Sequence, residues 1–228
     1  MKKYLTPLIL VAVALTAVLY FTFWNTLIDL DTLPEHFDSK KLQKDFKTKY
    51  NDDYGAQLDT LYSNDMDHDA YSNDPHSFGY SWNMAFWKNK PIAKYYSIDC
   101  NRFSVMETKK HEFIAVCGVS EITSPDDFEK TVKKLTDVYG TPEIVSTEFY
   151  GAYTNYIWTT RDRIIELASG KKSGEGTVKI NVDEDKKSIR ANPETEEEYL
   201  CIVYIINKKY NHYIENMIFK SGDWVYLH

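Results

Sequence analysis

The strongest constraint on this chain lies at its start. From Tyr4 to Ile28 there are 25 consecutive residues without a charge, most of them Leu, Val, Ala, Phe or Tyr. As a helix rising ~1.5 Å per residue the run covers roughly 37 Å, more than the ~30 Å of a bilayer's hydrocarbon core. Lys2 and Lys3 precede it, and the first charges after it are Asp29, Asp31 and Glu35. Basic residues stay on the cytoplasmic side of a membrane. The pattern therefore predicts an N-terminal transmembrane helix at residues 1–28, single-pass in the inner membrane. The N-terminus is then inside and the bulk of the chain outside the cytoplasm. Tyr20, Phe23 and Trp24 suit the outer interface, where aromatic rings sit at headgroup level.

The competing reading is a signal peptide whose cleavage secretes the rest. Ala12-Val13-Ala14 has the small-x-small form of a cleavage site, but it lies in the middle of the run. Cutting there leaves Leu15 to Trp24 as an apolar new terminus. Cys100 is the first cysteine, so no lipidated N-terminal cysteine is available. The length and the lysine pair argue against a third reading, a buried core helix.

Beyond the run, residues 29–76 read as a short helix followed by an acidic spacer, and residues 77–228 as the folded domain. Residues 37–50 have helical spacing. Asp38 is a cap, Phe37 and Leu42 stand at staple positions, and Leu42, Phe46 and Tyr50 form one apolar stripe. From Asn51 to Trp87 there is no Lys or Arg and there are seven Asp, which equals the net charge of −7 for the whole chain. Such a stretch has little to bury and predicts an extended loop or linker. The charge balance elsewhere argues against nucleic acid as a partner, since displacing phosphate counterions needs a basic surface.

Inside the acidic stretch, Asp65, Asp67 and Asp69 alternate like the first ligands of a calcium loop. The loop pattern then fails, because Ala70 stands where a glycine is needed and His76 where a bidentate Glu is needed. Three readings remain: a solvated spacer, an irregular calcium site, and a transition-metal pair at His68 and His76. Calcium is the one cofactor the sequence suggests.

The rest predicts an α+β domain with a mostly antiparallel sheet. Tyr80 to Phe86 alternates large apolar and small polar residues, which is strand periodicity. Further strands are expected at 92–98, 102–106, 113–119, 144–149, 153–158, 164–168 and 178–182, with no internal repeat. Phe113–Val119 and Tyr199–Ile206 are apolar on both faces, as central strands are. Asp183–Glu198 is charged and reads as a surface connection. One helix is well defined at 124–139. Ser124 caps it, Pro125 opens it, Asp126 and Asp127 meet its positive end, and Gly140 and Pro142 stop it. Residues 210–218 read as a C-terminal helix or a strand.

Chemistry is scarce. There is no Gly-rich phosphate loop, nucleophile elbow or His-Glu-x-x-His. Arg161, Asp162 and Arg163 with Glu166 form the best polar cluster, either an anion grip for an enzyme of unrecognised type or a surface turn. Of three cysteines, Cys100 and Cys117 face each other if 100–107 and 110–117 form a hairpin, which makes them the first disulfide candidate. Free buried thiols, or another pair, are the alternatives. Trp82, Phe86 and Trp87 offer a sugar- or peptide-binding face or core packing, in a chain with 18 Tyr. With no catalytic constellation beside a well-patterned core, the expectation is a binding module for a protein partner, of the immunity, inhibitor or envelope-assembly type. A calcium-responsive surface module is the remaining alternative.

Overall fold

The structure is a computed structural model that describes residues 27–50, 54–62, 77–86, 90–147, 153–171, 179–183, 188–192, 199–216, 224 and 227. It is a sheet-rich α+β fold with few helices. The apolar run expected to cross a membrane lies almost wholly outside these residues. No helix among the described residues is long and apolar enough to cross one.

Eight strands form one antiparallel sheet in the order β2-β3-β6-β7-β13-β10-β9-β8. They are β2 (Tyr54–Tyr62), β3 (Ser77–Phe86), β6 (Arg102–Thr108), β7 (Phe113–Thr123), β8 (Glu143–Thr147), β9 (Tyr153–Thr159), β10 (Arg163–Lys171) and β13 (Tyr199–Asn207). β7 and β13 are the two runs apolar on both faces, and they pair at the centre of the sheet. The charge-free faces of these strands leave them no stable place except between two covering layers.

Two smaller sheets accompany the large one. β1 (Ile28–Asp29) pairs in parallel with β4 (Ala93–Tyr95), which pairs with β5 (Ile98–Cys100). Residues 92–98, expected as one strand, instead turn back on themselves at Tyr96, whose φ is +50°. β11 (Lys179–Asp183) pairs with β12 (Ser188–Asn192). The second of these lies in the charged stretch read as a surface connection.

One face of the large sheet carries α1 (Ser39–Tyr50), the β1-β4-β5 sheet and α2 (Pro125–Tyr139). Its core joins Leu30, Phe46, Ile92, Tyr95, Ile98 and Leu135 to Phe103, Val105, Val116, Ile165 and Val203 of the sheet. The opposite face is covered by the C-terminal segment. There Tyr210, Ile214, Trp224 and Leu227 pack on Met106, Cys117, Ile202 and Tyr204. The C-terminal helix is shorter than expected, a single 3-10 turn followed by α3 (Asn211–Glu215).

Both long helices begin as their sequences dictate. The Asp38 carboxylate accepts from the Lys41 N–H at 3.0 Å. Ser124 Oγ accepts from the Asp127 N–H at 3.1 Å and donates to the Asp127 carboxylate at 2.7 Å. These bonds satisfy amide groups that helix geometry leaves without partners. They also hold the Asp127 carboxyl below its usual range, with Lys130 as a second hydrogen-bond donor. Gly140 ends α2 at φ +88°, a conformation that favours glycine.

Residues 29–62, expected to precede the domain, contribute to it directly. Leu30 and Phe46 are buried in the core and β2 forms an edge of the large sheet. The strand was legible only as a weak alternation of Ala56, Leu58 and Thr60 with Gln57 and Asp59. An edge strand solvated along one side tolerates that acidity.

The topology also repeats, contrary to the reading of the sequence. A helix and a four-stranded meander, α1-β2-β3-β6-β7, are followed by a second helix and meander, α2-β8-β9-β10-β13. The last strands of the two units pair antiparallel, so a pseudo-twofold axis passes between them. One row of directly paired residues crosses six strands as Trp82, Val105, Val116, Ile205, Ile165 and Trp158. It reads alike outward from the β7–β13 pair, with a tryptophan on each side, and beyond Trp82 it continues to Leu58 on β2.

Candidate functional site

Arg161, Asp162 and Glu166 do not converge. The first two are exposed in the turn between β9 and β10. The Asp162 carboxylate accepts from the Thr160 hydroxyl at 3.1 Å, and its carbonyl accepts from the Lys208 N–H at 2.9 Å. Glu166 is buried on β10 between Ile165 and Leu167, which face the helical layer. Alternation along a strand turns it to the opposite face.

Arg163 is the member of this cluster that reaches across to the N-terminal segment. Its guanidinium donates to the Asp31 carboxylate at 3.0 Å and to the Asp31 carbonyl at 3.3 Å. Tyr96 donates to the same carboxylate at 3.2 Å. Burial and the Asp31 charge together raise the Tyr96 phenol and hold it protonated, while Arg163 opposes them. The arrangement ties residue 31, just beyond the apolar run, to a strand 132 positions later. Its groups are consumed by that tie.

A second polar cluster was missed in the sequence. Glu107 is fully buried, yet its Oε1 accepts from the Trp82 indole N–H at 2.8 Å and lies 3.1 Å from His111 Nδ1. The other oxygen, Oε2, has no hydrogen-bond partner among the described residues. The sequence signal was slight, because Glu107 is one of four polar residues in β6 and only its burial sets it apart.

The three cysteines are free thiols and all are buried. Cys117 lies opposite Ser104, not Cys100. Cys100 and Cys201 belong to the helical face of the sheet and Cys117 to the other. Burial raises the Cys100 and Cys201 thiols, which keeps them protonated and unreactive. In the folded protein a bulky thiol reagent is expected to label none of the three while the unfolded chain reacts at all three. Fast native labelling of any one would show that the packing around it is wrong.

Asp65, Asp67, Asp69, His68 and His76 lie outside the described residues. Among the described residues no group of three or more His, Cys, Asp or Glu is placed to hold a metal ion.

Among the described residues, one open feature combines aromatic walls with polar groups. Between the first turns of α2 and the sheet lies a cavity of about 290 Å³ lined by Pro125, Phe128, Glu129, Thr154, Tyr156, Ser169 and Tyr199. The register makes its floor, because Thr154, Ser169 and Cys201 stand side by side on β9, β10 and β13. Thr154 and Ser169 are small, which leaves open space beside the helix there. The walls are rings. Phe128 meets Tyr156 edge-on, with centroids 5.5 Å apart, and stacks near-parallel to Tyr199 at 6.4 Å. Tyr156 in turn stacks on Trp158, whose indole donates to the Gly140 carbonyl at 2.9 Å. The carboxylate of Glu129 stands at the rim, exposed. The volume is just below the ~300–1,000 Å³ of pockets that engulf drug-sized ligands, which suits one side chain or one small ring.

Comparison with known proteins returned no match from family models, curated proteins or solved structures.

Proposed function

We propose that this protein is a membrane-anchored extracytoplasmic binding module, of the immunity, inhibitor or envelope-assembly type, that captures a protein partner at the groove beside α2. The observation that carries this reading is the contrast between that groove and the other polar clusters. Its aromatic walls, hydroxyls and carboxylate line open space. Arg163, Asp31 and Tyr96, by comparison, are closed on one another. Exposed aromatic rings flanked by polar groups are what protein interfaces use as anchors.

The anchor side of the proposal rests on the charge-free run and its flanks. The run's last residue, Ile28, is in β1, Leu30 is in the core and Asp31 is clamped by Arg163. The folded domain therefore begins at the last residue of the run.

The test is cross-linking of the tagged full-length chain in its own membranes, followed by mass spectrometry. The wild-type chain should capture a discrete partner, and Tyr156→Ser should lose it while still unfolding cooperatively, at a lower melting temperature because the ring packs on Phe128 and Trp158. An identical set of captured proteins from both chains would remove the groove from the proposal. No capture from either, together with strong stabilisation by a small molecule, would favour an enzyme instead.

A further inference from the structure

We infer that the groove is a cage for an organic cation, and that its occupant is the guanidinium of an arginine presented by a basic partner. This rests on the binding reading above and names the chemistry of the partner.

Three observations point to a positive ligand. Phe128, Tyr156 and Tyr199 line one small space, with Phe128 near-parallel to Tyr199 and steeply inclined to Tyr156. The faces of aromatic rings carry partial negative charge and attract cations lying within ~6 Å of the centroid. Glu129 adds a full negative charge at the rim. The surrounding turn of α2 is acidic as well. Residues 126–130 hold Asp126, Asp127, Glu129 and Lys130, three carboxylates against one ammonium, and that ammonium is 3.3 Å from Asp127 rather than at the groove.

Two alternatives fit less well. An anion would meet the positive end of the α2 dipole, but it would also meet the three carboxylates of the same turn, and Ser124 already caps one of the free amides. A neutral sugar ring needs a broad open aromatic face. Here Phe128 covers part of Tyr199, and Tyr156 is set edge-on to it. Guanidinium is preferred to ammonium because it is planar, stacks on rings, and still offers N–H donors to the hydroxyls of Thr154 and Ser169 and to the Glu129 carboxylate.

The experiment is a titration of the full-length chain in non-ionic detergent with N-acetyl-arginine amide, followed by NMR of its tyrosine and phenylalanine rings. N-acetyl-citrulline amide is the neutral isostere and a simple hexose is the sugar control. The arginine probe should bind with millimolar affinity, shift the rings of Tyr156 and Tyr199, and bind more weakly as salt rises. The citrulline probe and the hexose should not saturate. Tyr199→Ala should weaken the arginine probe about two- to fivefold, the range that ~0.5–1 kcal/mol per exposed cation–ring contact represents. Tyr199→Phe keeps the ring and should bind as wild type. Glu129→Gln should weaken binding and flatten its salt dependence. Equal binding of arginine and citrulline, or preference for the hexose, would overturn the cation assignment. If neither probe binds but Tyr156→Ser still abolishes partner capture, the cage falls and the binding module stands. If capture is indifferent to the groove, both fall.

Discussion

Leu30→Ala is expected to destabilise the folded domain by about 2–5 kcal/mol, the range for emptying a fully buried leucine site. Leu30 is 0% exposed although it lies only two residues past the apolar run. Its side chain fills the space over Gly118, where an added Cβ would lie 2.4 Å from Leu30 Cδ1 and 2.9 Å from Cys100 Sγ. Gly118→Ala should therefore cost about 1–3 kcal/mol by overpacking. In the Leu30→Ala background much of that cost should vanish, because the nearest obstructing atom has gone. The two changes are then non-additive by about 0.5 kcal/mol or more, as expected of residues in contact. Urea unfolding of the four chains measures this directly. A loss below about 0.5 kcal/mol for Leu30→Ala would mean that the segment after the run is not docked.

Glu107→Ala should cost about 2–4 kcal/mol, because it leaves the Trp82 indole N–H without its acceptor and opens a void in the core. Glu107→Gln keeps an acceptor at 2.8 Å from that indole and removes the buried charge. It should fall within about 1 kcal/mol of wild type, since burying a carboxylate is itself unfavourable. His111 is half exposed in a turn with φ +63°, so His111→Ala should change stability by less than about 1 kcal/mol. Thermal unfolding of the three variants separates these cases. If Glu107→Gln proved as damaging as Glu107→Ala, the charge itself would be holding the site together, and the unpartnered Oε2 would become the place to look for a bound cation.

The parts of this architecture that were legible in the sequence are those decided within one turn or one strand. The helix at 125–139 was readable because its cap, its opening proline and its terminal glycine act on adjacent backbone groups. β7 and β13 were readable because a strand apolar on both faces has only one stable environment. By contrast, the acidic edge strand β2 and the charged strand β12 were hidden by composition, since pairing with a neighbour supplies what their own residues do not announce. The turn at Tyr96 was hidden because a positive φ at a tyrosine is imposed by tertiary contacts.

The duplication was invisible for a different reason. Equivalent residues such as Trp82 and Trp158 keep no constant separation along the chain. The β4-β5 hairpin is inserted between the second and third strands of the first unit, whereas β11-β12 is inserted between the third and fourth strands of the second. The groove was hidden likewise. Phe128 read as one residue of an apolar helix stripe, and Tyr156 and Tyr199 as residues of two separate strands. Only the pairing of β9, β10 and β13 under α2 turns them into the walls of one space.

By itself, then, the sequence determined the charge-free run with its charged flanks, the capped helix, the two central strands and the α+β class. Each of these depends on interactions between residues a few positions apart. Tertiary structure decided the strand order, the separation of Cys117 from Cys100 and Cys201, the clamp of Asp31 by Arg163, the burial of Glu107 and the site beside α2. These depend on register, and a shift of one residue in a strand exchanges every side chain between the two faces of the sheet.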